Sequence, residues 1–252
     1  MPGEICDDRQ IIRVSGADHT EFLQGMISND VAKLDAGLVY AALLTPQGKY
    51  LADFFLVPED DAILLDVKAD VAAGLIQRLS MYKLRADVKI EPVEITVSRG
   101  IPNKPAGGYT DPREKSLGWR AYGNAPITSA EPVDWDALRV AACVPETGVE
   151  LIANDSYLLE SGFERLNGVD FKKGCYVGQE VTARMKHKTE LRKGLTRVRV
   201  TGAATVGTKI LSNDKPVGTL FTQSGGQGIA FLRFDRASKD MVAGDAQVHW
   251  PI

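Results

Sequence analysis

Hydrophobic and polar positions along this chain predict a mixture of strands and helices. Runs rich in β-branched and aromatic residues predict strands, and apolar residues spaced four apart predict helices. The expected strands cover residues 9–14, 39–44, 50–56, 62–67 and 95–97, and the expected helices cover 19–25, 71–82, 134–142 and 179–187. The central order of three strands, a helix and another strand is typical of an α+β fold and not of repeating βαβ units.

The pattern of residue types along the chain changes near residue 190. Residues 100–132 are rich in Gly, Pro, Asn and Lys and are expected to form loops between subdomains, with Trp119 anchoring one strand edge. From residue 191 onward, short strand-like runs recur about every ten residues with glycines between them, which predicts a small β-barrel over 191–252.

Composition narrows the class of protein. With 252 residues, 44% hydrophobic, 25% charged and a net charge of -3, the chain is typical of a globular protein and has no overall field that would attract nucleic acid. The N-terminal residues are acidic and lack an apolar signal core, and no run reaches the roughly 18 apolar residues needed to span a membrane. A cytoplasmic monomer without membrane contact is therefore expected.

The three cysteines, Cys6, Cys143 and Cys175, lie too far apart for a CxxC-type metal site, and their odd number favours reduced thiols. No metal site is predicted from these side chains. The sequence also lacks the phosphate-loop, zinc-protease and serine-hydrolase motifs GxGxxG, GxxxxGK[ST], HExxH and GxSxG.

Residues 172–180 are the strongest candidate for chemistry. Cys175 follows Lys172 and Lys173 and precedes a predicted helix, and both cations and a helix N-terminus favour the reactive thiolate. Gly174 and Gly178 would allow a sharp turn on either side of it. The alternative is a small buried cysteine beside a tight turn.

Two further polar pairs have two interpretations each. Asn29 and Asp30 end an apolar segment, and they either cap a second helix or face a ligand. Glu160 and Glu164 stand four apart, and their default interpretation is a solvated helical face.

Residues 173–180 read K-G-C-Y-V-G-Q-E and resemble the K-G-C-Y-x-G-Q-E signature of YgfZ-type folate-binding proteins. This family is related to the glycine-cleavage T-protein, an aminomethyltransferase, and to mitochondrial iron–sulfur assembly factors. The resemblance covers nearly the whole chain in order. The resemblance also rests on the segments 22–25 with 29–30, 46–49 with Asp53, 78–79 with 82–85, and the β-rich C-terminal region.

The resemblance implies a T-protein-like ring of three lobes around a central hole, with two interleaved α+β lobes in residues 1–190. The first lobe would combine residues about 1–40 with 130–188, the second would span about 41–130, and the barrel would follow. It also implies that tetrahydrofolate or a derivative is bound and that the chain serves iron–sulfur client or assembly proteins, tRNA-modifying enzymes among them.

On this resemblance Cys175 is the reactive thiol and Lys173 its catalytic neighbour. The residues expected to bind the folate are Asn29, Asp30, Asp53, Tyr82, Arg85, Gln179, Glu180 and Arg184. An aminomethyltransferase is the alternative activity. One departure argues against it, because Ala141 stands where the T-protein R-x-E-A-G segment would place a folate-holding glutamate, and alanine cannot accept hydrogen bonds through its side chain.

A third hypothesis treats the chain as an RNA or protein adaptor. It rests on a positive patch on both sides of the cysteine, although the net charge of -3 argues against broad affinity for nucleic acid. The patch consists of Lys172, Lys173, Arg184, Lys186, Lys188, Arg192 and Lys193.

Overall fold

A computed structural model describes residues 3–123, 127–128, 131–188 and 190–251, without the side chain of Lys188. The helices are α1 (His19–Met26), α2 (Ala69–Tyr82), α3 (Trp135–Ala142) and α4 (Gln179–Lys188), with short 3-10 helices at Val31–Ala36 and Lys115–Leu117. The strands before the barrel are β1 (Gly3–Ile5), β2 (Arg9–Ser15), β3 (Val39–Leu44), β4 (Tyr50–Glu59), β5 (Ala62–Lys68), β6 (Lys89–Val93), β7 (Thr96–Gly100), β8 (Tyr109–Thr110) and β9 (Trp119–Gly123). The predicted helices are confirmed to within a few residues at their ends.

The central layer is an antiparallel sheet in the order β3-β4-β5-β2-β6. Its two faces are both buried: one packs against α1 and α2, and the other against the segment that leads to α4. A sheet covered on both faces needs apolar residues at successive positions and not at alternate ones. This explains why all six residues of Val39–Leu44 are buried.

A second sheet, in the order β1-β7-β9-β8, occupies part of the region predicted as loops. That prediction is wrong for Tyr109–Thr110 and Trp119–Gly123. Both strands are short and lie among Gly and Pro residues, so the local pattern resembles a loop until β9 pairs with β7. Trp119 lies in β9 and is fully buried.

Residues 151–170 form successive turns and not the helix assumed for Glu160 and Glu164. The interpretation of these two carboxylates as one solvated helical face is wrong. Glu160 is buried and lies 3.3 Å from the ammonium of Lys193, whereas Glu164 pairs with Lys186.

The C-terminal strands are β10 (Lys193–Thr201), β11 (Thr208–Ser212), β12 (Lys215–Ser224), β13 (Gln227–Arg233), β14 (Asp240–Ala243) and β15 (Ala246–His249). They close into a barrel in the order β10-β13-β12-β11-β14-β15 with its own apolar core, as predicted. Arg139 of α3 joins the barrel to the rest of the chain, because its guanidinium donates to Thr222 of β12 and pairs with buried Glu150. The division of residues 1–190 into two lobes stays a prediction.

In the part of the chain that the structure describes, no helix is both long and apolar enough to cross a membrane.

Candidate functional site

The turn that carries Cys175 is held by the carboxylate of Asp170. One of its oxygens accepts hydrogen bonds from the backbone N–H groups of Lys172 (2.6 Å) and Lys173 (3.1 Å). The other oxygen lies 2.7 Å from the ammonium of Lys33. The N–H group of Asp170 donates to the carbonyl oxygen of Ser28, which ties this anchor to the segment after α1.

The side chain of Lys173 links the turn to the C-terminal end of α1. Its ammonium donates to the carbonyl oxygens of Gln24 (2.7 Å), Ile27 (2.6 Å) and Asn29 (2.9 Å). Carbonyls at a helix C-terminus lack partners in the helix and carry partial negative charge, so a cation stabilises them. Burial lowers the pKa of Lys173 to about 8, although Asp30 opposes this effect.

Lys173 is therefore a positioning residue for the turn. Its predicted catalytic partnership with Cys175 stays a prediction.

The opposite side of the turn packs against the hairpin between β3 and β4. Gly48 in the hairpin and Gly178 in the turn have φ angles of 74° and 82°, which favour glycine. A Cβ atom on Gly48 would lie 2.7 Å from the Cβ atom of Val181 in α4. The segments 22–30, 45–49 and 172–180, which are separate in the sequence, thus form one packed unit.

Cys175 is exposed at the tip of this unit, so the interpretation as a buried filler is wrong. A Cβ atom on neighbouring Gly174 would meet nothing within 4 Å, which leaves the approach to the tip open. The other cysteines differ: Cys6 is buried and Cys143 half-buried, and burial raises the pKa of both thiols.

Asn29 and Asp30 make internal hydrogen bonds in this unit. The Asn29 amide donates to the carbonyl oxygens of Tyr40 and Asn167, both at 2.7 Å. Asp30 caps the 3-10 helix by accepting from the N–H group of Ala32 at 3.0 Å. The capping interpretation holds for Asp30.

The remaining predicted ligand residues are dispersed. Arg85, Glu180 and Arg184 are exposed, Tyr82 is half-buried against the core under α2, and the side-chain oxygen of Gln179 accepts from the N–H group of Tyr176 at 3.3 Å. Asp53 lies elsewhere, in a cleft between the two sheets and α3. Among the described residues, the structure does not bring the predicted folate-binding set into one cavity.

This cleft is polar and lined by arginines. Its interior holds about 60 Å³, and the volume reaches about 640 Å³ only when the solvent space at its open mouth is counted. Its principal charged and aromatic lining consists of Arg9, Arg99, Arg113, Arg120, Arg139, Lys68, Asp53, Asp111, Glu146, Trp119 and Trp135. Except for Asp53, sequence reasoning missed this set. The available signal was charged residues inside or beside strand-like runs, as in Asp111-Pro112-Arg113 and Trp119-Arg120.

Asp53 is a buried carboxylate that accepts hydrogen bonds from three hydroxyl groups. Tyr50 donates at 2.6 Å and Tyr40 at 2.9 Å, and Thr147 is the third donor. Burial raises the pKa of both tyrosines well above its usual range, and the negative charge of Asp53 raises it further. The two phenols therefore remain donors.

The arginines are balanced by buried carboxylates. Asp66 accepts from Arg9 at 2.5 Å and from Arg120 at 3.0 Å, and Arg113 lies 2.8 Å from Asp111. Burial by itself would raise the pKa of Asp66 and Asp111, but the arginines outweigh it and hold both pKa values below the ordinary value.

Two tryptophans of the cleft have unused hydrogen-bond donors. The indole N–H groups of Trp119 and Trp135 are buried and have no hydrogen-bond partner in the described structure. Arg99 stacks over the ring of Trp135 at 4.1 Å from its centroid. Because a buried donor without a partner is costly, either N–H group would gain from a ligand acceptor that reached it.

The comparisons with known proteins agree with this architecture. Residues 192–252 match the family model described as CAF17, C-terminal beta-barrel domain. The human mitochondrial iron–sulfur cluster assembly factor IBA57 is 32% identical, with 90% of this chain and 76% of that protein covered. The chain belongs to the IBA57 family. The Neurospora crassa IBA57 homolog is 33% identical, with 73% of this chain and 50% of that protein covered.

The chain thus spans about half the length of the fungal IBA57 relatives it matches. The prediction of a cytoplasmic location is wrong. The IBA57 relatives from fungi, human and mouse are mitochondrial proteins.

The fold has a solved counterpart in the glycine cleavage system aminomethyltransferase T from Bartonella henselae. The TM-score is 0.77 over 98% of this chain and 83% of that one, at 14% sequence identity. This likeness confirms the predicted T-protein-like fold.

Proposed function

We propose that this IBA57-family chain is an accessory factor for the assembly or maintenance of iron–sulfur proteins, in which Cys175 is the reactive group and the arginine-lined cleft binds tetrahydrofolate or a derivative. The observation that carries the proposal is the exposure of Cys175 on a turn whose neighbours are locked to α1 and to the β3–β4 hairpin. A fixed backbone presents the thiol to a partner in one orientation.

The cysteine acts together with a partner protein. No group of three or more His, Cys, Asp or Glu side chains in the described residues could hold a metal ion. An iron–sulfur cluster handled here as cargo would take one sulfur ligand from Cys175, which releases its thiol proton on binding, and the other ligands from an iron–sulfur client or assembly protein.

The interior of the cleft holds only about 60 Å³, so a folate would lie mainly in the open mouth, where the cleft residues offer it partners. The free indole N–H groups of Trp119 and Trp135 can donate to acceptors of the ligand, and Asp53 can accept from its amino groups. The cleft arginines already pair with carboxylates, so a folate carboxylate would share Arg99, which is 30% exposed, with Glu4. When bound, tetrahydrofolate supplies a reduced pterin able to carry a one-carbon unit. On this proposal the cleft replaces the dispersed residues as the main folate site.

Aminomethyl transfer remains the alternative activity. Ala141 is exposed on α3 and its carbonyl oxygen accepts from Arg197, so this position lies outside the cleft. The carboxylates that line the cleft are those of Asp8, Asp53, Asp111 and Glu146. Turnover of an aminomethyl donor with saturating tetrahydrofolate would establish the transferase, and an absence of turnover would reject it.

The positive patch offers weaker support for an adaptor. Lys186 and Lys193 pair with Glu164 and Glu160, Lys173 is directed into α1, and the side chain of Lys188 lies outside the described residues. Half of the patch residues whose side chains are described are therefore neutralised or used internally.

The cysteine role is tested in cells that lack the endogenous factor. Wild-type protein should restore the activity of iron–sulfur enzymes, and Cys175→Ala should not. Cys143→Ala is the matched control and should restore it, because Cys143 is half-buried away from the tip. Full rescue by Cys175→Ala would refute the role of this thiol.

The folate site is tested by calorimetric titration with tetrahydrofolate. Trp119→Phe and Trp135→Phe should each weaken binding roughly fivefold, because one hydrogen bond contributes about 1 kcal/mol. Trp250→Phe is the control and should bind normally, since the indole of Trp250 donates to Thr196 in the barrel. The absence of binding by the wild type would reject the folate part of the proposal.

A further inference from the structure

An open groove runs along α2 on the face of the central sheet that carries both helices. Its floor is apolar and its space amounts to about 940 Å³, counted to the open side. The floor consists of Leu43, Leu51 and Ala52. The helix contributes Asp70, Gly74, Gln77, Arg78 and Met81, which recur at helical spacing along one side of α2.

Gly74 lies in the middle of α2, and nothing in the described part of the fold requires a glycine at this position. Its φ angle is not in the left-handed region, and a Cβ atom added to it would meet nothing within 4 Å. Glycine weakens a helix interior relative to alanine, so the residue is unfavourable for the free protein. A missing side chain at the wall of a groove allows another backbone or a large side chain to approach closely.

Apolar side chains are exposed at the C-terminal end of the groove. Met81 is 64% exposed and Leu84, just beyond the helix, is 86% exposed. Of these residues and the neighbouring arginines, Met81 and Arg78 line the groove, whereas Leu84 and Arg85 follow it in the chain. Arg78 forms no ion pair with another described residue. Asp70 lies at the opposite end, so the groove is positive at one end and negative at the other.

We propose that this groove docks an amphipathic helix of a partner protein, with apolar side chains on the floor and carboxylates against Arg78. The wall from Asp70 to Met81 is about 16 Å long, which accommodates roughly three turns of a helix. The charges set the direction, with the acidic end of the partner helix over the C-terminal end of α2. This surface is separate from the cleft and does not depend on folate binding.

Two synthetic peptides of about 12 residues test the proposal by fluorescence anisotropy. Both carry leucines at helical spacing, and they differ in ending with glutamates or with lysines. The wild type should bind the glutamate peptide at least tenfold more tightly than the lysine peptide. Arg78→Glu should abolish this preference, whereas the control Arg192→Glu, on an exposed arginine outside the groove, should keep it.

Filling the groove is the second arm. Gly74→Leu should weaken binding of the glutamate peptide at least tenfold, and Gly74→Ala should weaken it less. Both variants should fold, since the added Cβ atom meets open space. Gly25→Ala is the matched control, because Gly25 is a helical glycine of α1 with equally open surroundings outside the groove, and its binding should match the wild type.

Equal binding of both peptides, or unchanged binding by Gly74→Leu, would overturn the proposal. Sedimentation of the wild type and Gly74→Leu provides a further check. A concentration-dependent dimer that Gly74→Leu disrupts would assign the groove to a second copy of this chain. That result would also overturn the proposal that a helix of a partner protein docks there.

Discussion

Gly178 of the cysteine turn packs directly on Gly48 of the β3–β4 hairpin. A Cβ atom on Gly178 would lie 3.2 Å from the Cα atom of Gly48 and 2.5 Å from the carbonyl oxygen of Thr45. Two backbones approach this closely only where both lack side chains. The position of Cys175 is therefore set by a contact between two distant segments.

Gly178→Ala should destabilise the protein and displace the turn. The left-handed φ angle of 82° strains alanine, and the new methyl group would collide with the hairpin backbone. We expect a loss of about 2–3 kcal/mol in the free energy of unfolding, measured in urea.

Gly174→Ala is the control for this substitution. It lies one residue before Cys175, has no left-handed φ angle, and offers open space to a methyl group. Its stability should remain within about 0.5 kcal/mol of the wild type. Equal losses in the two variants would contradict the packing explanation.

Lys173→Met should destabilise the protein and change its response to pH. At pH 7 the variant should lose about 1–3 kcal/mol, because three carbonyl oxygens at the end of α1 lose their donor. Burial lowers the pKa of Lys173 from 10.5 to about 8 in the folded protein. Between these values the unfolded chain binds more protons than the folded one, so this residue makes wild-type stability rise with pH.

The measurement is the difference in the free energy of unfolding between wild type and Lys173→Met at pH 7 and near pH 9.5. This difference should grow at the higher pH, because the variant lacks the titrating group. A difference that stays constant would show that the ammonium is not desolvated in the folded state.

Asp66→Asn should be among the most damaging substitutions. Asp66 is fully buried between Arg9 and Arg120, and removing its charge leaves Arg9 without its ion-pair partner and Arg120 with only Asp111 at 3.6 Å. The expected loss is about 3–5 kcal/mol. Asp155→Asn is the control and should have little effect, because Asp155 is 81% exposed in its ion pair with Lys49.

The Asp66 contribution should also disappear in acid. Its folded pKa lies below the ordinary value of 3.8, so the carboxylate stabilises the protein above about pH 4 and loses this effect as the pH falls through the folded pKa. Urea unfolding at pH 7 and pH 3 should show a smaller gap between wild type and Asp66→Asn in acid. A gap as wide at pH 3 as at pH 7 would contradict the charge explanation.

Thiol labelling should distinguish the three cysteines. Cys175 is exposed, whereas burial raises the pKa of Cys6 and Cys143 and lowers their thiolate fraction. A chromogenic disulfide reagent at neutral pH should modify one thiol at least about ten times faster than the other two. Cys175→Ala should lose the fast phase, and a fast phase that persists in this variant would disprove the assignment.

Local patterns were sufficient for most regular elements. The apolar run at residues 39–44 corresponds to strand Val39–Leu44, and the spacing of Val71, Leu75 and Leu79 predicted α2. These signals succeed because periodicity and turn residues act over a few positions. They failed for β9, whose identity as a strand depends on pairing with β7.

The sequence by itself determined the α+β pattern, the C-terminal barrel, the family resemblance and the candidate segment around Cys175. Each of these depends on residues that are close together in the chain. Only the tertiary structure decided which side chains share a site. It directed Lys173 into the end of α1, exposed Cys175 at a tip, and gathered arginines, carboxylates and tryptophans from distant strands into one cleft. The physical reason is that burial, ion pairing and close backbone contact depend on segments far apart in the chain. Local sequence patterns do not show which of these segments contact one another.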